Sequence, residues 1–270
     1  MNDTSNAARV RRLVWLLLGA AVVLYGLLRL ALGPLPQDPA YHELADAQAR
    51  LGGIPRTGDV MTNLAILAAG ILGLALRPRM TIAPEERNAV NVLLAATILT
   101  AFGSTYYHWA PTNATLIWDR LPIAVVLMSL LALVLSDRVH PLYARQGLWP
   151  LVASGMASVI LWGVSEAMGH GDLLPYLIVR IGAGVAIVVL IILRQPRHTG
   201  TLWLVTALFL EVAMGFLERF DHEILHLTDG RASGHNLKHF MAGIALACVF
   251  GWLRTRKLLA RSQSSARVSV

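Results

Sequence analysis

Five polar residues carry the chemistry this sequence could do. They are Ser104 and His108 in GSTYYHWAPTN, Asp119 in LIWDRLP, and His235 and His239 in SGHNLKHFMAG. All lie in or beside long apolar runs, where polar groups are costly unless they are paired or bind a metal. Three imidazoles with a carboxylate nearby and an open fourth position form the ligand set of a hydrolytic zinc. Spacings of i, i+4 put Ser104 with His108, and His235 with His239, on common helix faces. Taken singly, each piece has a plainer reading. A His-x3-His at a helix start is usually a surface pair, a Ser-x3-His near a helix end is usually innocent, and Asp119-Arg120 reads as an interfacial charge pair. Their weight depends on whether the chain brings them to one place.

The chain of 270 residues is 56% hydrophobic and 14% charged, with mean hydropathy +0.57. Soluble domains carry about 25% charged residues, so this is an all-α polytopic membrane protein. About 20 apolar residues cross a bilayer as a helix, and eight segments qualify: 13–32, 60–76, 89–108, 117–135, 148–168, 173–193, 202–220 and 236–253. Gly33-Pro34-Leu35-Pro36, Arg77-Pro78, Pro111, Pro141, Gly169–Gly171 and Gln195-Pro196 break the runs. No repeat or second domain is visible. Residues 13–258 read as one transmembrane domain, residues 1–12 as a cytoplasmic N-terminus, and 259–270 as a disordered cytoplasmic tail. The first segment follows Arg9, Arg11 and Arg12, as a secretory signal would. Its apolar run is long, however, and Gly33-Pro34 is a poor cleavage context, so it is read as a retained anchor helix.

The net charge of +7 and pI near 10.2 do not imply nucleic acid, because the arginines sit in short loops and tails rather than on one face. They set the topology instead. With the N-terminus in the cytoplasm, the cytoplasmic segments collect Arg9, Arg11, Arg12, Arg77, Arg79, Arg87, Arg138, Arg145, Arg194, Arg197, Arg254, Arg256, Lys257, Arg261 and Arg267. Eight crossings then leave the C-terminus inside as well. On this topology the third segment ends outside at His108, the fourth begins outside near Asp119, and the eighth begins outside with His235 and His239. A crossing count differing by one would separate them. The single cysteine, Cys248, lies in an apolar run and offers neither a disulfide nor a thiolate zinc site.

The order Ser-x3-His, Asp eleven residues later, and His-x3-His near the C-terminal helix resembles the alkaline ceramidase family, part of the CREST superfamily of membrane hydrolases. YHELAD at 41–46, GDVMTNLAIL at 58–67, STYYHWAPTNATLIWDRLP and SGHNLKHFMAG resemble its bacterial branch, and the likeness runs from about Tyr41 to Leu253. It implies a seven-helix core, segments two to eight, with the first helix as an addition. It also implies that His108, His235 and His239 bind zinc and leave a fourth position for water. Asp119 would be the base, and Ser104 would donate to the developing oxyanion or orient the water. The implied reaction is hydrolysis of ceramide or another N-acyl lipid to a fatty acid and an amine. The family's calcium site draws on acids before its first core helix. Asp38, Glu43, Asp46 and Asp59 are nearby, but Arg56 stands where one acid would fall, which weakens the expectation of Ca2+. Thr62-Asn63 replaces the usual Ser-Asn pair.

Other polar residues are expected to be structural. Arg180 and Glu211 are read as a buried pair. Asn63 is read as an interhelical hydrogen-bonding residue, and Glu166, Asp172, Glu218 and Asp221 as groups lining the outer entrance. His222 and His226 also stand at i, i+4 but fall in the charged stretch 218–229, as solvated histidines. Trp109, Trp118 and Trp149 suit interfacial belts. The expected function is a zinc amidase of a bacterial inner membrane, its metal towards the periplasm. The alternative is a receptor of the progestin and adiponectin type on the same bundle, although the cytoplasmic loops are short for an effector surface.

Overall fold

Capping residues and prolines decide where the helices of this chain end. The computed structural model describes residues 3–260. Its ten α-helices among these residues are α1 Asp3–Leu32, α2 Thr57–Leu76, α3 Arg87–Trp109, α4 Asn113–Arg138, α5 Leu142–Gln146, α6 Leu148–Ala167, α7 Leu174–Leu193, α8 Thr201–Arg219, α9 Asp221–Leu227 and α10 Gly234–Thr255. All except α5 and α9 are long and apolar enough to span a bilayer. The protein is an all-α, multi-pass membrane protein. A two-residue hairpin, Arg50–Leu51 against Ile54–Pro55, folds the loop before α2. Most of the expected tail, residues 261–270, lies outside the described residues.

Each expected span is present, with two informative shifts. Helix α1 begins ten residues before its apolar run, because Arg9, Arg11 and Arg12 are good helix formers that extend the helix beyond its hydrophobic part. Helix α4 begins at Asn113 rather than Ile117. The Thr112 hydroxyl accepts the Thr115 N–H at 3.1 Å, and the Thr112 N–H donates to the Thr115 hydroxyl at 3.0 Å. This reciprocal cap places Asp119 in the second turn of α4.

The helices pack in a chain of neighbours. Helix α10 lies between α2 and α8, α3 between α2 and α4, and α4 also carries α6 and α7. Helix α1 lies outside this group, against α5, α6 and α7. The outward faces are apolar: Ile192, Leu193, Leu202 and Phe209 are each at least 70% exposed, as suits side chains that meet lipid. At the arginine-rich end, Leu93, Leu133, Phe250 and Leu253 form a sealed core. There Arg256 pairs with Glu86, which also accepts the Ser136 hydroxyl at 2.9 Å. A second cluster, Tyr107, Leu116, Val159, Trp162 and Tyr176, fills the opposite end.

One helix crossing fixes the register of that opposite end. Pro122 has no N–H to return to the Trp118 carbonyl, so that oxygen loses its helical partner. Gly103 of α3 lies directly against it, and a Cβ there would strike the Trp118 oxygen and stand 3.4 Å from the Asp119 nitrogen. Small residues allow such close backbone approach in membrane bundles. Gly103→Ala is therefore expected to force α3 and α4 apart, lowering stability by about 1–3 kcal/mol. A thermal melt in detergent reads this directly, and an unchanged melting temperature would refute the crossing.

Candidate metal centre

Residues 104–108 at the end of α3, 119 on α4 and 234–239 at the start of α10 all fall at the end of the bundle opposite the arginines. The rings of His108, His235 and His239 form a near-equilateral triangle, with centroids 4.7, 4.9 and 4.8 Å apart. All three are buried, and their ligand nitrogens lie within 4.8 Å of one another. His235 Nε2 and His108 Nε2 are 3.2 Å apart. Two nitrogens on one tetrahedral zinc, at about 2.0–2.1 Å each, stand about 3.3–3.4 Å apart, so this edge of the triangle already fits a metal. Among the described residues it is the one group of three or more His, Cys, Asp or Glu side chains whose ligand atoms converge.

His239 shows how the donors are aimed. Thr62 Oγ1 lies 2.9 Å from His239 Nδ1 and 2.8 Å from the Gly58 carbonyl. The Thr62 hydroxyl donates to that carbonyl, so its oxygen accepts the His239 Nδ1–H and leaves the Nε2 lone pair facing the triangle. Thr62→Val keeps the shape and removes the acceptor. Metal affinity is expected to fall roughly 10–100-fold in a competition assay against a chelator, and an unchanged affinity would show that Thr62 does not orient the ligand. His108 lacks such a partner: its Nδ1 is buried without a hydrogen bond.

Ser104 lies one turn before His108 and is buried, on the helix that packs against α4, which carries Asp119. The contact of Gly103 with the Trp118 oxygen sets Asp119 at the same level of the bundle as Ser104. Asp119 Oδ1 is sealed from solvent and has no partner, which leaves an acceptor ready for a water or substrate proton. The neighbouring Arg120 does not pair with Asp119. Its guanidinium lies among Trp162, Tyr176 and Tyr41, 4.3, 4.9 and 5.4 Å from their ring centres, and donates to Gln37 Oε1 at 2.7 Å. Stacking of this kind stabilises a buried cation and holds the loop before α2 over the site.

That loop is fastened at several points. His42 bridges the Tyr107 hydroxyl and Asn113 Oδ1 at 3.0 and 2.9 Å. Asp221 accepts the Ala45 and His235 N–H groups at 2.9 and 2.7 Å. Asp46 accepts the Asp59 N–H at 3.0 Å, and Asp59 accepts from Asn236 at 2.6 Å. Glu218 takes Lys238 Nζ at 2.7 Å and the Tyr41 hydroxyl at 3.3 Å. Burial, then the charge of Glu218, pushes the Tyr41 phenol pKa up, so it stays a neutral donor.

Several expectations need correction. Glu166, Asp172 and Asp221 do not simply line an entrance. Glu166 accepts from Trp162, Asn113 and the Gln37 N–H, and Asp172 takes Tyr25, Arg29 and two backbone N–H groups; both fasten loops. Asn63 bonds within its own helix, to the Asp59 carbonyl at 2.9 Å, and its Oδ1 is buried without a partner. Arg180 and Glu211 do meet, at 3.6 Å, but their side chains are about half exposed, since α7 and α8 turn that face outwards. His222 is not merely solvated: its Nε2 bonds the Glu43 carbonyl at 3.0 Å. Neither it nor His226 joins the metal group. Asp38, Glu43, Asp46 and Asp59 do not gather into one ligand set among the described residues. Asp38 caps the Ala40 N–H instead, and Arg56 keeps a left-handed backbone with φ 43°.

Fold and site together define a multi-pass membrane protein with a buried three-histidine group able to hold a metal ion. No family model matches the chain, and no curated protein or solved structure matches it.

Proposed function

We propose that the protein is a zinc-dependent membrane amidase acting on ceramide or a related N-acyl lipid. The observation that carries this reading is the imidazole triangle, with Ser104 on the His108 helix and Asp119 at the same level of the neighbouring α4. Three neutral imidazoles without a thiolate suit zinc, with one position left open. When bound, zinc supplies a Lewis acid and lowers the pKa of a water towards about 7. Asp119 takes a proton from the attacking water as its oxygen adds to the amide carbonyl carbon. The C–N bond then breaks as Asp119 returns that proton to the nitrogen. Ser104 donates to the developing oxyanion or orients the water. The products are a fatty acid and a sphingoid base or related amine.

A lipid substrate has to arrive from the bilayer. Helices α7 and α8 are consecutive but pack on different partners, α7 on α4 and α6, α8 on α10. The half-exposed Arg180–Glu211 pair bridges them. This arrangement supports access from the side. The arginine-rich end belongs in the cytoplasm, which puts both termini there and the metal end towards the periplasm of a bacterial inner membrane.

The test is hydrolysis of a panel of N-acyl lipids, ceramides included, in water enriched in oxygen-18. The amidase reading predicts one labelled oxygen in the fatty acid together with free amine. Bound zinc with no product from any lipid would favour the receptor reading.

A further inference from the structure

We propose that the gap between the start of α1 and the turn joining α4 to α5 is a seat for the headgroup of an anionic phospholipid. It is a cavity of about 310 Å³, lined on one side by Asn6, Arg9 and Leu13 and on the other by His140, Tyr143 and Arg194. That volume is the size of a small-ligand site.

Its chemistry suits a phosphate. Arg9 and Arg194 come from opposite ends of different helices, and neither is in an ion pair among the described residues. Guanidinium groups bind phosphate oxygens in pairs. Tyr143 is buried and shares the cavity lining with both arginines; burial pushes its phenol pKa up, while the charges of Arg9 and Arg194 pull it down. The Asn6 amide adds a neutral polar group. Basic pockets between transmembrane helices at the arginine-rich face are headgroup sites for anionic lipids.

The position selects a lipid over a free ion. Arg9 lies one turn before Leu13, where the apolar run begins, so the cavity sits at headgroup depth. Leu13, Leu16 and Leu17 continue from it as exposed apolar side chains along α1, a track for an acyl chain. Helix α1 is fastened to the bundle near this cavity by Val10 and Val14 against Leu142 and Tyr143. At its far end Arg29 and Tyr25 are fastened to Asp172. Between these points Gly19 faces open space, as does Gly26 beside Tyr25. A lipid seated here fills the seam between α1 and the bundle.

The test is native mass spectrometry of the full-length, detergent-purified protein titrated with phosphatidylglycerol, phosphatidylcholine or inorganic phosphate. Wild type is expected to hold phosphatidylglycerol roughly tenfold more tightly than phosphatidylcholine. Arg9→Gln combined with Arg194→Gln is expected to lose that preference, while Arg12→Gln, outside the cavity, keeps it. Each single variant should lose part of it, which keeps the test decisive if the double variant unfolds. Equal binding of the two lipids, or a preference that survives in the Arg9 and Arg194 variants, would overturn the proposal. Displacement of the lipid by millimolar inorganic phosphate would overturn it in favour of a free-phosphate site.

Discussion

Asp119→Asn is expected to keep its metal and to lose turnover roughly 10²–10⁴-fold, the usual contribution of a general base. Asparagine matches aspartate in shape, so the α3–α4 crossing at Gly103 and Trp118 is undisturbed. It cannot take up the proton that the buried Asp119 Oδ1 is free to accept. Elemental analysis and fatty-acid release on the same sample separate the two roles. Loss of the metal would make Asp119 a ligand or a fold determinant. Full turnover would remove it from the chemistry.

The second large effect is expected for His235→Ala. Removing an outer partner of a metal-bound histidine already costs roughly 10–100-fold in affinity, so deleting one of three ligands should exceed that and bring turnover to background. The fold is expected to survive. Asp221 holds the start of α10 through the His235 backbone N–H at 2.7 Å, a bond that alanine retains, and Ser233 still caps the helix through the Asn236 N–H. Metal content should therefore fall while the melting temperature in chelator-treated samples matches that of equally treated wild type. A variant that keeps both zinc and turnover would break the triangle's assignment.

The sequence makes the spans and the five chemical residues legible for a physical reason. Apolar runs separated by prolines and glycines mark the helices, and crossing parity then decides which helix ends share a side. His108, Asp119, His235 and His239 need no more than that to be brought together. What supports them is not legible, because it depends on which helices are neighbours. Nothing in the spacing of Thr62 announces that α2 lies beside α10 and gives His239 its acceptor. Arg120 follows Asp119 directly and invites a charge pair, yet an aromatic cage from three distant segments takes it the other way. The same holds for Lys238 with Glu218, twenty residues apart on two different helices. Asn63 fails in the opposite direction: its helical i−4 carbonyl was the local partner, and the expected long-range bond is absent. Arg180 and Glu211 were correctly paired from their depth in two segments, but depth does not say which face of a helix meets lipid.

Zinc dependence is tested most directly by measuring zinc content beside ceramide hydrolysis in one preparation of wild-type protein, before and after chelation and again after zinc is restored. About one zinc per chain is expected, with fatty-acid release that disappears with the metal and recovery of both on adding zinc. A well-folded wild type that binds no zinc, or one that releases fatty acid equally well without it, would contradict it.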